Sequence, residues 1–156
     1  MPKCINVPRF VAEDWPHHIT TESVGLDVVW ISIGEPEPQF KFKPSLLDSR
    51  PNLKLSFLDW PVSLDVMETM SARNAHDIVE FILTYPDKNL VVNCGAGVSR
   101  SGSICQFCQD VLGYEWDDFY KSKSIPRPEF VEKLKYQHGR ILKRNKNKFD
   151  KESKLE

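Results

Sequence analysis

The sequence predicts an α/β domain with a mostly parallel central sheet of four to five strands, flanked by helices on both faces. Three observations carry that prediction. Short apolar, β-branched runs recur at Leu26–Ile33, Leu53–Phe57 and Asn89–Val92. Segments of helical period lie among them, at Met70–Thr84 and after Ser101. The resulting order of strand, helix, strand, loop, helix requires crossover connections, and those go with parallel strands covered on both sides.

Composition bounds the rest. The chain has 156 residues, 40% hydrophobic and 28% charged, which is enough to bury one core. It reads as a single domain over 1–142 followed by a charged, frayed C-terminal tail over 143–156, with six basic and three acidic residues. A formal net charge of −1 gives no bulk field toward nucleic acid or an anionic membrane. No apolar run reaches the roughly 18 residues of a membrane span, and Met1–Pro16 lacks a secretory apolar core. Cys4, Cys94, Cys105 and Cys108 show no disulfide spacing. The expectation is a cytoplasmic monomer with no nucleic-acid and no membrane partner.

Taken in order, Ile5–Val11 alternates loosely and reads as an edge strand, the place where Pro8 is tolerated. His17-His18 follows in a polar turn, and adjacent histidines point different ways, so no metal is expected there. Leu26–Ile33 is the clearest buried strand, ended by Gly34-Glu35-Pro36-Glu37-Pro38. Gln39–Pro51 reads as a surface excursion. Leu53–Phe57 reads as a short core strand running into Leu58-Asp59-Trp60-Pro61, where Pro61 stiffens the loop and Trp60 packs it. The helix over Met70–Thr84 places Ala75, Ile78, Val79 and Ile82 on its core face. Beyond the central loop, Tyr114–Lys121 suggests a short helix and Ile125–Glu129 a proline-stiffened turn, with Arg127 solvent-exposed. Phe130, Leu134 and Ile141 mark a closing amphipathic helix.

The chemistry concentrates in Val91-Val92-Asn93-Cys94-Gly95-Ala96-Gly97-Val98-Ser99-Arg100-Ser101-Gly102. An apolar strand end, a small-residue loop and a helix start make an anion-binding device, because the first-turn N–H groups have no intrahelical partner. Cys94 stands at the strand end and Arg100 closes the loop. If the loop wraps a tetrahedral oxyanion, the sulfur lies beneath it and the guanidinium offers a planar fork to two oxygens. Such a setting can lower a cysteine pKa from about 8.5 to roughly 3.5–7.5 and so create a nucleophile. Cys105 and Cys108 fall on the following helix with Ile104, Phe107 and Val111 and read as core, not as a redox or zinc pair.

Cys94 through Arg100, followed by Ser101, resembles the Cys-x5-Arg-Ser/Thr signature of the protein tyrosine phosphatase superfamily, in the version of its small dual-specificity members. The resemblance implies a protein tyrosine phosphatase-like fold. It also implies a hydrolase of phosphotyrosine, phosphoserine and phosphothreonine in phosphoproteins that works through a phosphocysteine, with no cofactor and no metal. Cys94 would be the nucleophile, while Gly95, Ala96, Gly97, Val98, Ser99 and Arg100 bind the phosphate. The family's general acid lies on a loop upstream; Asp59 fits, with Asp65 as competitor. Ser101 would donate to the sulfur when it leaves. The family usually has histidine before the cysteine; here Asn93 must hold the loop, with an altered cysteine ionisation as the expected result. A phosphopeptide-binding pseudophosphatase and an RNA 5′-triphosphatase stay open as alternatives.

Overall fold

The computed structural model describes residues 1–16, 24–60, 63 and 68–153. His17-His18, Pro61 and Asp65 lie outside them. Five strands, β1 (Lys3–Pro8), β2 (Val28–Gly34), β3 (Asn52–Ser56), β4 (Asn89–Cys94) and β5 (Glu115–Trp116), form one sheet in the order β3-β2-β4-β1-β5. Every pairing is parallel. The helices are α1 (Arg9–Glu13), α2 (Ala72–Thr84), α3 (Arg100–Leu112), α4 (Asp118–Lys121) and α5 (Pro128–Ser153). Among the described residues no helix is long and apolar enough to cross a membrane.

Strand alternation divides the core into two layers. Val29, Ile31 and Ile33 of β2, with Leu90 and Val92 of β4, face α2, α3 and α5, whose Ile78, Phe107 and Leu134 complete the larger cluster. Val28, Trp30 and Val91 point the other way and pack with Val11 of α1, Leu47 and Tyr120 of α4. Both faces of the sheet are therefore covered, as parallel sheets require. Ala75, Ile78, Val79 and Ile82 are all buried on α2, whose start is fixed by a Ser71–Asn74 capping box. Gly113, at φ 76°, ends α3 in the left-handed conformation.

Two expectations are corrected, and three segments gain detail. β1 is not an edge strand: it pairs with β4 from Cys4 to Pro8 and with β5 at Lys3 and Cys4. Pro8 is tolerated because β5 is too short to reach it. The true edge is β3, whose half-buried alternation differs from the core strand predicted at Leu53–Phe57. The Gln39–Pro51 excursion contains a 3₁₀ turn, Leu46–Ser49, capped by Ser45 and anchored by buried Leu47. The segment Tyr114–Lys121 contributes β5 before its helical turn. The charged C-terminal segment is helical through Ser153, with every described side chain from Leu142 onward exposed.

Candidate functional site

Cys94 ends β4, the middle strand, so the loop that follows opens at the carboxyl ends of the parallel strands, where open α/β sheets bind ligands. Three loop carbonyls are drawn into the fold. Gly95 O accepts from Arg9 N at 3.1 Å and Val98 O accepts from Ile125 N at 3.1 Å. Gly97 O accepts from Asn6 Nδ2 at 2.9 Å. A trans peptide sets each N–H opposite the preceding carbonyl, so the N–H groups of Ala96, Val98 and Ser99 face the concave side of the loop. Ser99 makes no side-chain cap to α3, which leaves the first-turn N–H groups to the same concavity.

Two glycines in the loop meet close neighbours. Gly97 has φ +72°, and a Cβ there would lie 2.4 Å from backbone atoms of Val7 and Pro8. Asn6, which holds Gly97 O, is itself fixed by Trp116 Nε1 donating to its Oδ1 at 2.7 Å, and its amide also donates to Ser124 Oγ at 2.6 Å. This fully buried asparagine stabilises the loop from β1.

Cys94 is only 2% exposed, at the base of the loop. Its Sγ lies 3.2 Å from Ser101 Oγ in hydrogen-bond contact. Arg100 is buried, with Nη1 donating to Gly34 O (3.2 Å) and Phe57 O (3.0 Å) and Nη2 to Glu35 Oε1 (2.8 Å). Its buried Nε has no partner among the described residues. The Nε side of the guanidinium is the fork suited to two oxygens of an oxyanion.

Glu35 links two arginines, since Arg9 Nη2 donates to the same Oε1 at 3.0 Å. Burial alone would push the Glu35 carboxyl up; hydrogen bonds and charge from Arg100 and Arg9 outweigh it and hold the carboxyl below the usual glutamate range. Because the folded value is the lower one, this contribution is fully present above the ordinary glutamate pKa of about 4.3 and is lost as pH falls through the folded value. Glu35→Gln should thus lower Tm by a few degrees at pH 7, with the gap closing below about pH 4. Thermal melts across pH read this directly, and an equal gap at both ends would remove the assignment.

Asp59 is brought to the rim of the site by a different route. Arg127 Nε contacts its Oδ1 at 2.8 Å, and Arg127 Nη2 donates to its backbone O at 2.7 Å. The guanidinium lies 5.2 Å from the ring centre of Trp60, which is half exposed instead of buried as an anchor. Arg127 is therefore not the free surface cation predicted. With Val98, Ser99 and Ile125 it lines a cleft of about 360 Å³ beside the loop. No hydrogen bond joins Asp59 to Cys94 or to the loop among the described residues.

Asn93 does not hold the loop. Its Oδ1 accepts from Trp30 Nε1 at 2.8 Å, and its Nδ2 is buried without a partner among the described residues. Alternation explains this, because Asn93 follows Val91 onto the α1 side of the sheet while Cys94 follows Val92. Sequence reasoning missed Asn6, Arg9 and Glu35, and no local signal marks them. They matter because β1 and β2 flank β4. Burial raises the Cys105 and Cys108 thiols well above their ordinary values, which keeps both unreactive. Among the described residues, no three His, Cys, Asp or Glu side chains converge as metal ligands.

No family model matches the chain, and no curated protein sequence matches it. Solved structures do. The human tyrosine phosphatase-like serine/threonine/tyrosine-interacting protein superposes with a TM-score of 0.60 at 20% identity, over 88% of this chain and 93% of that one. Human DUSP28 superposes with a TM-score of 0.55 at 14% identity, over 92% of this chain and 96% of that one. These superpositions show that the chain has a small dual-specificity phosphatase-like fold.

Proposed function

We propose that the protein is a cysteine-dependent phosphomonoester hydrolase acting on phosphoproteins. The observation that carries this reading is the conjunction at the loop: a sulfur in contact with Ser101 Oγ, beneath inward N–H groups and an arginine whose buried Nε is unpaired. A phosphoryl group seated there has its equatorial oxygens on the N–H groups of Ala96, Val98 and Ser99 and on the Nε edge of Arg100. The Cys94 thiolate attacks phosphorus, forming an S–P bond while the P–O bond to the leaving group breaks. That oxygen keeps the bonding pair and takes a proton from Asp59. Water then attacks phosphorus, Asp59 recovers a proton, and the S–P bond breaks with sulfur leaving as thiolate beside the Ser101 hydroxyl. Glu35 acts through Arg100 as a positioning residue.

Phosphotyrosine, phosphoserine and phosphothreonine are all proposed as substrates, because few elements wall the loop among the described residues. Hydrolysis of a generic aryl phosphate tests the reading. Wild type should turn over, and Asp59→Asn should reduce kcat by about 10²–10⁴-fold. One observation favours a second reading, a phosphate-binding module without turnover: the Asp59 carboxylate is engaged by Arg127. A folded wild type that binds vanadate but releases no phosphate would decide for that module.

A further inference from the structure

Helix α5 carries a charge distribution that the candidate site does not use. Between Lys133 and Lys148 stand seven lysines and arginines and no aspartate or glutamate, whereas the rest of the chain holds 22 acidic against 14 basic residues. Lys133, Arg140 and Arg144 follow one another at seven and four positions, which puts them on one stripe of the helix. That stripe borders α2. Two adjoining cavities of about 430 and 440 Å³ lie there and share Ala72 and Gln137.

The two cavities differ in character. The first is lined by Arg73, His76, Arg140 and Arg144. The second is mainly apolar, with Met70 and Tyr136 on its wall. Several of the cations are already engaged: Arg73 with Asp77, Arg144 with Glu80, and Lys133 Nζ with Met70 O at 2.7 Å. Arg140 and Lys143 have no hydrogen bond or ion pair among the described residues, and Tyr136 is 66% exposed. Gln137 is 5% exposed and lines both cavities, yet its amide has no hydrogen-bond partner among the described residues.

We propose that this groove docks an acidic peptide segment of a partner protein. An apolar side chain seats against Ala72 and the Tyr136 ring, and carboxylates that follow it meet Arg140 and then Lys143, which lines a further cavity with Tyr136, Arg140 and Arg144. Charge complementarity sets the sign. The Gln137 amide sets the class, because it offers one donor and one acceptor set to a peptide main chain that carries both, whereas a phosphate backbone only accepts. Asp77, Glu80 and Glu132 further interrupt the continuous cationic rail that a nucleic acid tracks. Among the described residues on the groove side Tyr136 is the one large exposed ring, too little to seat a helix in a lipid interface. Neither cavity shares a lining residue with the cleft beside the loop at Cys94, so the groove is separate from it.

Fluorescence anisotropy with a short labelled peptide, one leucine followed by a run of glutamates, tests the proposal on the intact chain at near-physiological salt. Wild type should bind saturably. The double variant Arg140→Glu/Lys143→Glu should weaken binding about tenfold or more, and Gln137→Ala should also weaken it. Binding is read whether or not the loop at Cys94 turns over, so failure here leaves the hydrolase reading untouched. No saturable binding by folded wild type, or affinity unmoved by the charge reversals, would overturn the proposal. So would tighter binding of single-stranded RNA or of phosphatidylserine vesicles than of the peptide.

Discussion

Cys94→Ser is expected to abolish aryl phosphate hydrolysis, by at least about 10³-fold, while vanadate and phosphopeptide binding persist. The substitution exchanges sulfur for oxygen at the base of the loop and leaves in place the groups assigned to the phosphate. Arg100 stays clamped by Gly34 O, Phe57 O and Glu35, because none of those contacts involves the sulfur. A serine hydroxyl has no neighbouring base in this loop to make it a nucleophile: its near contact is the Ser101 hydroxyl. Turnover and binding are thus separated by one atom. Retention of most of the activity in Cys94→Ser would transfer the chemistry to another group and end the phosphocysteine reading.

Gly97→Ala is expected to cost about 3 kcal/mol or more of stability and to remove phosphate binding with it. Two penalties coincide. The residue sits at φ +72°, where an L side chain is strained, and its Cβ would stand 2.4 Å from the backbone at Val7 and Pro8. Backbone cannot step aside as a flexible side chain can, because β1 is held in register by β4. Relief therefore requires the loop to lift off β1, which breaks the Asn6–Gly97 hydrogen bond and re-aims the N–H groups. Chemical denaturation of Gly97→Ala beside Gly113→Ala separates the two penalties. Gly113 has φ +76° with open space around it, so its variant reports the conformational cost alone.

The parts of the site that were legible in the sequence are those carried by one contiguous segment. Cys94, the loop and Ser101 lie within eight residues, and a strand end followed by helical period fixes their relative placement. Likewise, the period of Ala75, Ile78, Val79 and Ile82 is enough to orient α2. What escaped was non-local. Whether β1 is an edge depends on β4 and β5, far along the chain, and Ile5–Val7 reads alike in either place. Glu35 looks like one residue of a proline-broken loop until β2 is laid beside β4. Arg127 looks like a surface cation until the turn before α5 meets the β3 loop. Asn93 was misplaced for a different reason: chemistry suggested a loop partner, but the two-residue period of the strand turns its side chain to the opposite face.

The interior position of β1 also fixes the order in which the protein can assemble. The first strand of the chain has no partner among its neighbours in sequence; Cys4 waits for Leu90 on one side and Trp116 on the other. During synthesis β2 and β3 can pair as soon as both have left the ribosome, and β4 can extend them, while the N-terminal strand stays unpaired until the centre of the sheet exists. The loop at Cys94 takes its shape from Asn6 and the backbone of Arg9, so it cannot be formed earlier than that insertion. Contacts of such long sequence separation go with folding on the millisecond-to-second scale. Competence for phosphate should consequently be the last property a refolding chain acquires, after helix content and core burial have largely returned.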